Sequence, residues 1–481
     1  SGELGSYGRR EFGAAFGALS SGGVDLSFSG NWADVDGQEL HYREFDDPAT
    51  NHGIAQNLDW ERYHSILGTC SAGGLSIQGY FSKREKGIPT APWETVFNDG
   101  DARTLDRAAH ADIRYERALG ATKVVSFRGY LDHYYYTGAY PYEILWLDEY
   151  NGVWTGGDFR LRWDPRPNNR LILGAEYQNH LRARYRAWDS EGVHFDGSNA
   201  YSLVSLYAQD EYQATTNLSI TGGLRTDHYS HAGTTTSLRG AIVYNARRSG
   251  TFKLLYGEAF RAPNVAELYY HDETAKGNPD LLPETIRTIE GVWERRLTEG
   301  LYGAVSVYGY RMKDLIDMTE DPSDGLIQYR NINTVRAAGV EVELTFRFKE
   351  KGRGYASYSY QRAEDKVSGQ TLSNSPAHLV RAGASIPMGR RVAVVPELQY
   401  EGERKTVQNT KIEGYFLTSL NLSFSPRSDR PGSALLDHVE LSLQVRNALD
   451  RKYATPGGFE HVQPAIAQNG RNYAVRFELG F

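Results

Sequence analysis

The amino-acid sequence predicts an all-β protein, a transmembrane antiparallel β-barrel of about 22 strands that occupies residues 1–481 as a single domain. Three observations predict this fold. Apolar and polar residues alternate in one segment after another, short connections alternate with long ones, and no stretch sustains a helical period. The mean hydropathy of −0.55 is low. In such a barrel only alternate residues face lipid, so an average over the chain hides the apolar face.

The alternation is clearest near the end of the chain. In the segment VELSLQVRN at 439–447, every second residue is apolar, and VEVELTFRFK at 340–349 follows the same rule. A period of two is that of a β-strand with one apolar face. The last segment, RNYAVRFELGF, places these residues on its apolar face: Tyr473, Val475, Phe477, Leu479 and Phe481. We expect the polar faces to line the barrel interior, including Glu341, Glu343, Glu440 and Arg446.

The connections predict the orientation of the barrel. Tight turns are expected at 20–23, 71–74, 166–169, 247–250, 349–352 and 388–391. Longer polar stretches separate them at 37–55, 87–103, 186–200, 261–283 and 450–469. Outer-membrane barrels have short periplasmic turns and long extracellular loops, so this alternation is typical of them.

The strand count depends on the first segment. Residues 2–19 taken as one strand give about 21 strands, and a turn at Tyr7-Gly8-Arg9 gives about 22. An even number closes an antiparallel barrel with both chain ends on the same side, so the turn is preferred. Closure would pair the last strand with the first and leave no exposed sheet edge. A soluble propeller is disfavoured because no repeat of about 40 residues is evident.

Composition excludes several functional classes. The net charge of −7 offers no basic surface for nucleic acid. The single cysteine, Cys70, cannot form an intrachain disulfide, and we expect it to be a small buried or lipid-facing residue. No motif selects a catalytic set from the 60 acidic residues and 13 histidines, so the chain is predicted not to be an enzyme and to need no cofactor.

Two long motifs resemble those of a known family. The first, LYGEAFRAPNVAELYYHDETAKGNPDLLPETIRTIEGVWE at 255–294, contains FRAPN, EL, GNP and PE in order. The second, VRNALDRKYATPGGFE at 445–460, is followed by GRNYAVRFELGF at the chain end. Both are similar to the middle and closing signatures of TonB-dependent outer-membrane receptors. The segment at 81–108 also resembles barrels of this family, so the resemblance extends over nearly the whole chain.

The resemblance implies a location and a function. It implies a barrel in the outer membrane of a Gram-negative bacterium, in contact with lipid and lipopolysaccharide. It implies uptake of a scarce, bulky nutrient of the ferric siderophore or cobalamin class, driven by the TonB complex through a plug domain. The chain opens directly on what look like barrel strands. The plug is therefore expected to have been removed, to be supplied elsewhere as another chain, or to be naturally missing from a plugless barrel, and TonB would act through a plug supplied elsewhere. The alternatives are a passive diffusion pore and an adhesive or structural surface barrel.

Two groups of residues are candidate ligand contacts in the outer loops or lumen. The tyrosine-rich segment YLDHYYYTGAYPYE offers Tyr136, Tyr140 and Tyr142, because tyrosine gives rigid amphipathic contact with a bulky ligand. In LRARYRAW, Arg182, Arg184 and Arg186 share one face and would attract an anionic ligand, or the phosphate of lipopolysaccharide.

Two further sites are weaker candidates. Arg261 and Asn264 of the FRAPN motif are offered as ligand contacts, although a purely structural role in shaping the loop is the stronger interpretation for most of this motif. Asp34 and Asp36 form an Asp-x-Asp-Gly fragment that hints at a calcium loop, but the remaining spaced ligands of a full loop are missing.

Overall fold

The barrel was described from a computed structural model, which describes residues 1–348, 351–425 and 439–480. Each of the 22 barrel strands pairs antiparallel with its sequence neighbour, and β22 pairs with β1, so the sheet closes on itself. The predicted all-β barrel is therefore confirmed. Phe481 and the start of the predicted 349–352 turn lie outside the described residues.

The barrel strands are numbered in chain order. Their bounds are β1 Gly2–Gly5, β2 Arg10–Leu19, β3 Asp25–Val35, β4 Glu61–Ala72, β5 Leu75–Gly87, β6 Arg103–Leu119, β7 Lys123–Pro141, β8 Leu145–Arg166, β9 Asn169–Trp188, β10 Tyr201–Thr215 and β11 Leu218–Tyr229. The second half comprises β12 Gly233–Asn245, β13 Thr251–Arg261, β14 Glu284–Thr298, β15 Leu301–Glu320, β16 Ile327–Phe348, β17 Gly352–Asp365, β18 His378–Met388, β19 Val392–Glu401, β20 Tyr415–Phe424, β21 Val439–Arg446 and β22 Asn472–Leu479.

The seam between the first and last strands follows the prediction. Gly2 is the Cα partner of Phe477 on β22 and of Phe12 on β2, so β1 lies between them. Tyr7 and Gly8 adopt positive φ of 62° and 67°, which makes the turn that divides residues 2–19 into two strands. This turn is what raises the count to 22.

The two ends of the barrel differ in their connections. At the end that carries Gly2 and Leu479, here called the short-turn end, β4 and β5 are joined by two residues, as are β8 and β9. The opposite, long-loop end carries residues 36–60, 262–283 and 447–471 between strands. The expected strict alternation is wrong in detail. At the long-loop end β7–β8 and β11–β12 are joined by only three residues each, and in the first pair the strands themselves extend outward.

Three adjacent strands are much longer than one membrane crossing requires. Strands β7, β8 and β9 contain 19, 22 and 20 residues, whereas roughly 9–11 residues suffice for a tilted strand to cross a bilayer. Part of the predicted polar loop at 186–200 is also ordered as a strand, Val193–Ser198, which pairs with the end of β9. The sheet therefore continues well beyond the membrane-crossing level on this side of the barrel.

Apolar side chains cover the outside of the barrel wall. Leu443 on β21 is the register partner of Val475 on β22, and both are more than 40% exposed. Phe477 shares this outer face and also lies more than 40% exposed. An apolar band of this kind is the surface that a bilayer covers. Cys70 lies on the same outer face, paired with Leu26.

The residues that alternate with the band face the lumen. Glu341 and Glu343 pair with Ser359 and Ser357 of β17, on the side opposite the outer valines. Arg446 and Glu440 pair with Asn472 and Glu478 of β22, opposite the outer leucines. The predicted polar inner wall is therefore confirmed. No helix among the described residues is long and apolar enough to cross a membrane.

Three long loops form a small core at the long-loop end. It is built from Tyr42, Ala55, Leu58, Ala91 and Phe97, with Leu40, Phe45 and Ile466 packed against it. Phe45 stacks on Phe97 with ring centroids 4.3 Å apart. We call this the loop cluster. It joins the connections β3–β4, β5–β6 and β21–β22 into one structure above the wall.

Candidate functional site

An aromatic cluster lines the inner wall at the long-loop end. Tyr136 on β7, Tyr150 on β8 and Tyr185 on β9 lie in register across three strands. Phe195, from the short strand beside β9, and Tyr270, from the loop at 262–283, complete it. These five residues are called the tyrosine cluster below. The cluster therefore joins the barrel wall to the loop at 262–283.

Stacking fixes the geometry of this cluster. The rings of Tyr150 and Tyr185 stack with centroids 4.3 Å apart and an interplanar angle of 18°. Tyr185 is only 8% exposed, whereas Tyr150 is 36% exposed. Tyr136 packs edge-on against Tyr150, and its hydroxyl lies 2.7 Å from that of Tyr140. Tyr150 therefore presents a ring to the mouth of the lumen, held in place by buried neighbours.

A carboxylate lies inside the cluster. Asp148 accepts a 2.7 Å hydrogen bond from the indole N–H of Trp146, and the ring of Trp146 stacks on His194. At this level the outer face carries the charged side chains Glu149 and Arg186, so Asp148 lies beyond the apolar band. Burial raises the pKa of Asp148 to about 6. Loss of water around the carboxylate disfavours its charged form.

The three arginines of LRARYRAW lie on the opposite face of the sheet. A β-bulge interrupts the pairing of β8 and β9, where Val153 pairs with Arg182 but Trp154 pairs with His180. The extra residue reverses the alternation along β9. Tyr185 therefore points inward, while Arg182, Arg184 and Arg186 point outward. The structure thus keeps the arginines on one face, as predicted, and separates them from the tyrosine cluster.

Carboxylates already neutralise part of this arginine group. Arg184 makes a two-pronged ion pair with Asp196, with N–O distances of 2.8 and 2.7 Å, and Glu149 lies 3.8 Å away. Arg186 stacks over Trp188 at 4.7 Å and lies 4.0 Å from Asp196. The main local effect of these ion pairs is to tie the short Val193–Ser198 strand to β9.

Tyr142 lies apart from the other predicted tyrosines. It occupies the three-residue turn between β7 and β8, and its hydroxyl donates a 3.0 Å hydrogen bond to the carbonyl of Trp93. Trp93 packs edge-on against Phe459, 5.2 Å away. Tyr142 therefore connects the long β7–β8 hairpin to the loops beside the loop cluster, while Tyr136 and Tyr140 stay with the inner wall.

The FRAPN residues are engaged in holding their own loop. Arg261 binds Glu284 through Nε and Nη2 at 2.7 and 2.9 Å, and Glu267 through Nη1 at 2.9 and 3.0 Å. Asn264 caps the short helix α1, Val265–Tyr269, by accepting a hydrogen bond from the Glu267 amide. In return the Glu267 carboxylate accepts a hydrogen bond from the backbone N–H of Asn264, which completes a capping box. These contacts fasten the loop that carries Tyr270.

An ion network lines the lumen below the cluster. Arg225 donates to Glu176 at 2.8 Å and to Ser205 at 2.7 Å, and it lies 2.8 Å from Asp227. The hydroxyl of Tyr130 donates to Glu176 at 3.1 Å. The polar wall below the mouth is thus internally satisfied, and the exposed aromatic surface lies above it.

Asp34 and Asp36 are paired with arginines. Asp34 lies 3.6 Å from Arg62, and Asp36 lies 3.3 Å from Arg10. In residues 1–348, 351–425 and 439–480, no group of three or more histidine, cysteine, aspartate or glutamate side chains is arranged to hold a metal ion. The predicted calcium loop has no assembled ligand set there.

Comparison with known proteins was made by sequence and by structure. The sequence profile of a family described as TonB dependent receptor-like, beta-barrel, matches residues 5–448. The chain belongs to the TonB-dependent receptor family. The resemblance inferred from the two long motifs is therefore confirmed, and this receptor barrel can be compared with transport receptors.

Curated relatives are distant and longer. The heme/hemopexin utilization protein C of Haemophilus influenzae is 24% identical over 305 residues, which cover 55% of this receptor barrel and 41% of the relative. The vitamin B12 transporter BtuB of Vibrio cholerae is 25% identical over 286 residues, covering 57% of this chain and 42% of the transporter. The matched part of the chain spans less than half the length of these relatives.

Solved structures share the fold. The ferric-catecholate import receptor Fiu of E. coli aligns with a TM-score of 0.76 and 12% identity, covering 100% of this chain and 81% of Fiu. A single-residue mutant of the ferric enterobactin receptor of Pseudomonas aeruginosa, solved with enterobactin, aligns with a TM-score of 0.76 and 15% identity over 100% of this chain and 81% of that receptor. At these identities the likeness shows the barrel architecture.

Sequence reasoning missed the centre of the tyrosine cluster. Tyr185 stands between the arginines of LRARYRAW, and the alternation that groups the arginines assigns it to the other face. The alternation separates Tyr185 from the arginines, but it does not say which of the two faces the lumen, because the bulge near Leu181 has no clear mark in the sequence. Tyr150, Phe195 and Tyr270 come from separate segments that only the fold brings together.

Proposed function

We propose that this receptor barrel lies in the outer membrane of a Gram-negative bacterium and takes up a bulky nutrient of the ferric siderophore or cobalamin class. Uptake is energised by the TonB complex acting on a plug domain in the lumen. The apolar outer band supports the membrane location. Family membership supports transport, and it also favours a receptor over an enzyme or an adhesive barrel.

The single observation that carries the proposal is the tyrosine cluster. Its half-exposed ring, Tyr150, is backed by the buried ring of Tyr185 at the mouth of the lumen. Aromatic rings with few rotatable bonds bind large ring-containing ligands at low entropic cost. The long-loop end, where this surface lies, is the extracellular end of barrels with short periplasmic turns.

The inner wall contributes in a second way. Arg225, Glu176 and Asp227 satisfy one another, so a cargo passing down the lumen meets paired charges at this level. Ligand is thus held at the mouth and released below it. The loop that carries Tyr270 is fastened to the wall by Arg261, which keeps the mouth preorganised in the absence of ligand.

The test is a labelled-ligand uptake panel in cells that lack the gene, complemented with the complete receptor. Ferric siderophores, cobalamin and heme are offered with and without an intact TonB complex. The proposal expects saturable uptake of one cargo that is lost without TonB. Uptake that persists without TonB, together with a large ungated conductance of the complete receptor in planar bilayers, would establish a passive diffusion pore instead.

A further inference from the structure

A row of arginines crosses four adjacent strands on the outer face of the barrel. Arg287 on β14 is the register partner of Arg311 on β15, and Arg311 is the partner of Arg336 on β16. Arg362 on β17 lies one diagonal position away, since its neighbour Glu364 is the partner of Arg336. We call these four residues the arginine row. All four are exposed.

Such a row is unfavourable by itself. Like charges directly opposite each other on antiparallel strands destabilise a sheet. Glu258 lies 3.0 Å from Arg287, and Glu364 pairs with Arg362. For Arg311 and Arg336, no carboxylate comes within ion-pairing distance in the part of the chain that the structure describes. Lys313, two residues beyond Arg311 on the same face, adds a further cation. Five cations thus share two carboxylates.

The row lies at the border of the apolar band. The outer face next to it, toward the short-turn end, carries Ile289, Val307 and Val340. Tyr256 and Tyr360 flank these residues, as aromatic side chains do at a membrane interface. A shallow groove of about 470 Å³ runs along the surface and is lined by Tyr256, Arg287, Ile289, Arg311, Arg336 and Arg362.

We propose that the arginine row binds the phosphate groups of lipopolysaccharide in the outer leaflet. The inference rests on the outer-membrane location proposed above. Lipid A carries phosphates on both ends of its sugar pair, with acyl chains beneath. The guanidinium fork binds phosphate oxygens in pairs, so the in-register arginines offer several phosphate-binding groups at one level. Tyr256 and Ile289, which line the short-turn side of the same groove, would contact the first part of the acyl chains.

The arginine row differs from the outer arginines on β9. There Asp196 and Glu149 lie close to Arg184 and offset its charge. In the arginine row the two central residues, Arg311 and Arg336, are left for an external anion. The row lies at the long-loop, extracellular border of the apolar band, where lipopolysaccharide rather than phospholipid forms the outer leaflet.

The experiment uses the purified barrel in neutral detergent. Wild type is compared with the double variant Arg311→Gln/Arg336→Gln and with Arg295→Gln. Arg295 lies on the outer face of β14 as well, but at the short-turn end, so it is the matched control. Binding of bisphosphorylated lipid A, dephosphorylated lipid A and phosphatidylglycerol is titrated by native mass spectrometry, and unfolding temperature is recorded with and without each lipid.

The proposal expects bisphosphorylated lipid A to bind wild type and Arg295→Gln alike, and the double variant at least about tenfold more weakly. Without lipid the double variant should unfold at the same or a higher temperature, because like-charge repulsion has been removed. Equal binding to the double variant would overturn the proposal. Dephosphorylated lipid A or phosphatidylglycerol binding as tightly would overturn it too, the latter by identifying a phospholipid occupant. None of these outcomes depends on cargo uptake, so they are separable from the transport proposal.

Discussion

Tyr150 and Tyr185 stack at 4.3 Å across the β8–β9 pair, one ring half-exposed at the mouth of the lumen and the other buried behind it. The pair joins β8 to β9, and a bulge in β9 just below it breaks the side-chain alternation of that strand. Bulges re-aim side chains and recur next to functional sites. Here the bulge directs Tyr185 to the inside and the neighbouring arginines to the outside.

The assignment of the two barrel faces can be tested on β21. Leu443→Arg places a charge in the apolar band and should cost about 2–4 kcal/mol of folding free energy in lipid vesicles. Gln444→Arg, one residue along, points into the polar lumen and should be nearly neutral. Denaturant unfolding of the two variants in vesicles compares them directly. Equal losses of stability would contradict the face assignment.

The loop that carries Tyr270 should depend on Arg261. Arg261→Gln leaves Glu267 and Glu284 without their shared cation. The free energy of local unfolding of residues 262–283 should fall by about 1–2 kcal/mol, because the Arg261 side chain is partly exposed and solvent weakens its ion pairs. Hydrogen exchange of this loop measures the effect. The control is Lys253→Gln. It removes another cation of β13, one that pairs with Glu294 and does not contact the loop. Protection unchanged in Arg261→Gln would show that other contacts hold the loop.

Binding of an anionic cargo should depend on pH through Asp148. Burial raises the pKa of Asp148 to about 6 from an unperturbed 3.8, so the native state holds this proton more tightly than the unfolded chain does. Its contribution to stability is therefore lost as pH rises from about 4 to about 6. In the native state the carboxylate ionises around pH 6, so a negative charge then appears beside the tyrosine cluster.

The measurement is the Kd of the cargo identified by the uptake panel, taken between pH 5 and pH 7.5. An anionic ferric siderophore should bind more weakly as pH rises through about 6, and Asp148→Asn should remove that dependence. Asp158→Asn, deeper in the lumen, is the control carboxylate. An unaltered pH profile in Asp148→Asn would assign the dependence to another group.

Much of the barrel could be predicted from the sequence because a period of two determines which face each residue takes. The alternation of Val475 and Phe477 with polar residues predicted the outer face, and the turn at Tyr7-Gly8 predicted the even strand number. These are local properties of the chain. They require only that neighbouring strands pair in order.

The site was harder to predict because it depends on a bulge and on distant contacts. One extra residue near Leu181 reverses the alternation of β9. Arg182, Arg184 and Arg186 therefore point outward, whereas the alternation of the wall below would turn them into the lumen. Phe195 and Tyr270 reach the cluster from connections that looked like polar loops. Tyr136 was a predicted contact and lies in the cluster, whereas its partners Tyr150 and Tyr185 were not proposed.

The central claim is that Tyr150 holds the cargo at the mouth of the lumen, and the most direct measurement is the affinity of the cargo for Tyr150→Ala. Loss of the exposed ring should weaken binding by about 2 kcal/mol, close to 30-fold in Kd. Tyr150→Phe, which keeps the ring, should stay within about threefold of wild type. Asn151→Ala changes the next residue of β8, on the outer face, and should leave the Kd unchanged. If Tyr150→Ala bound the cargo as tightly as Asn151→Ala, the tyrosine cluster would not be the binding site.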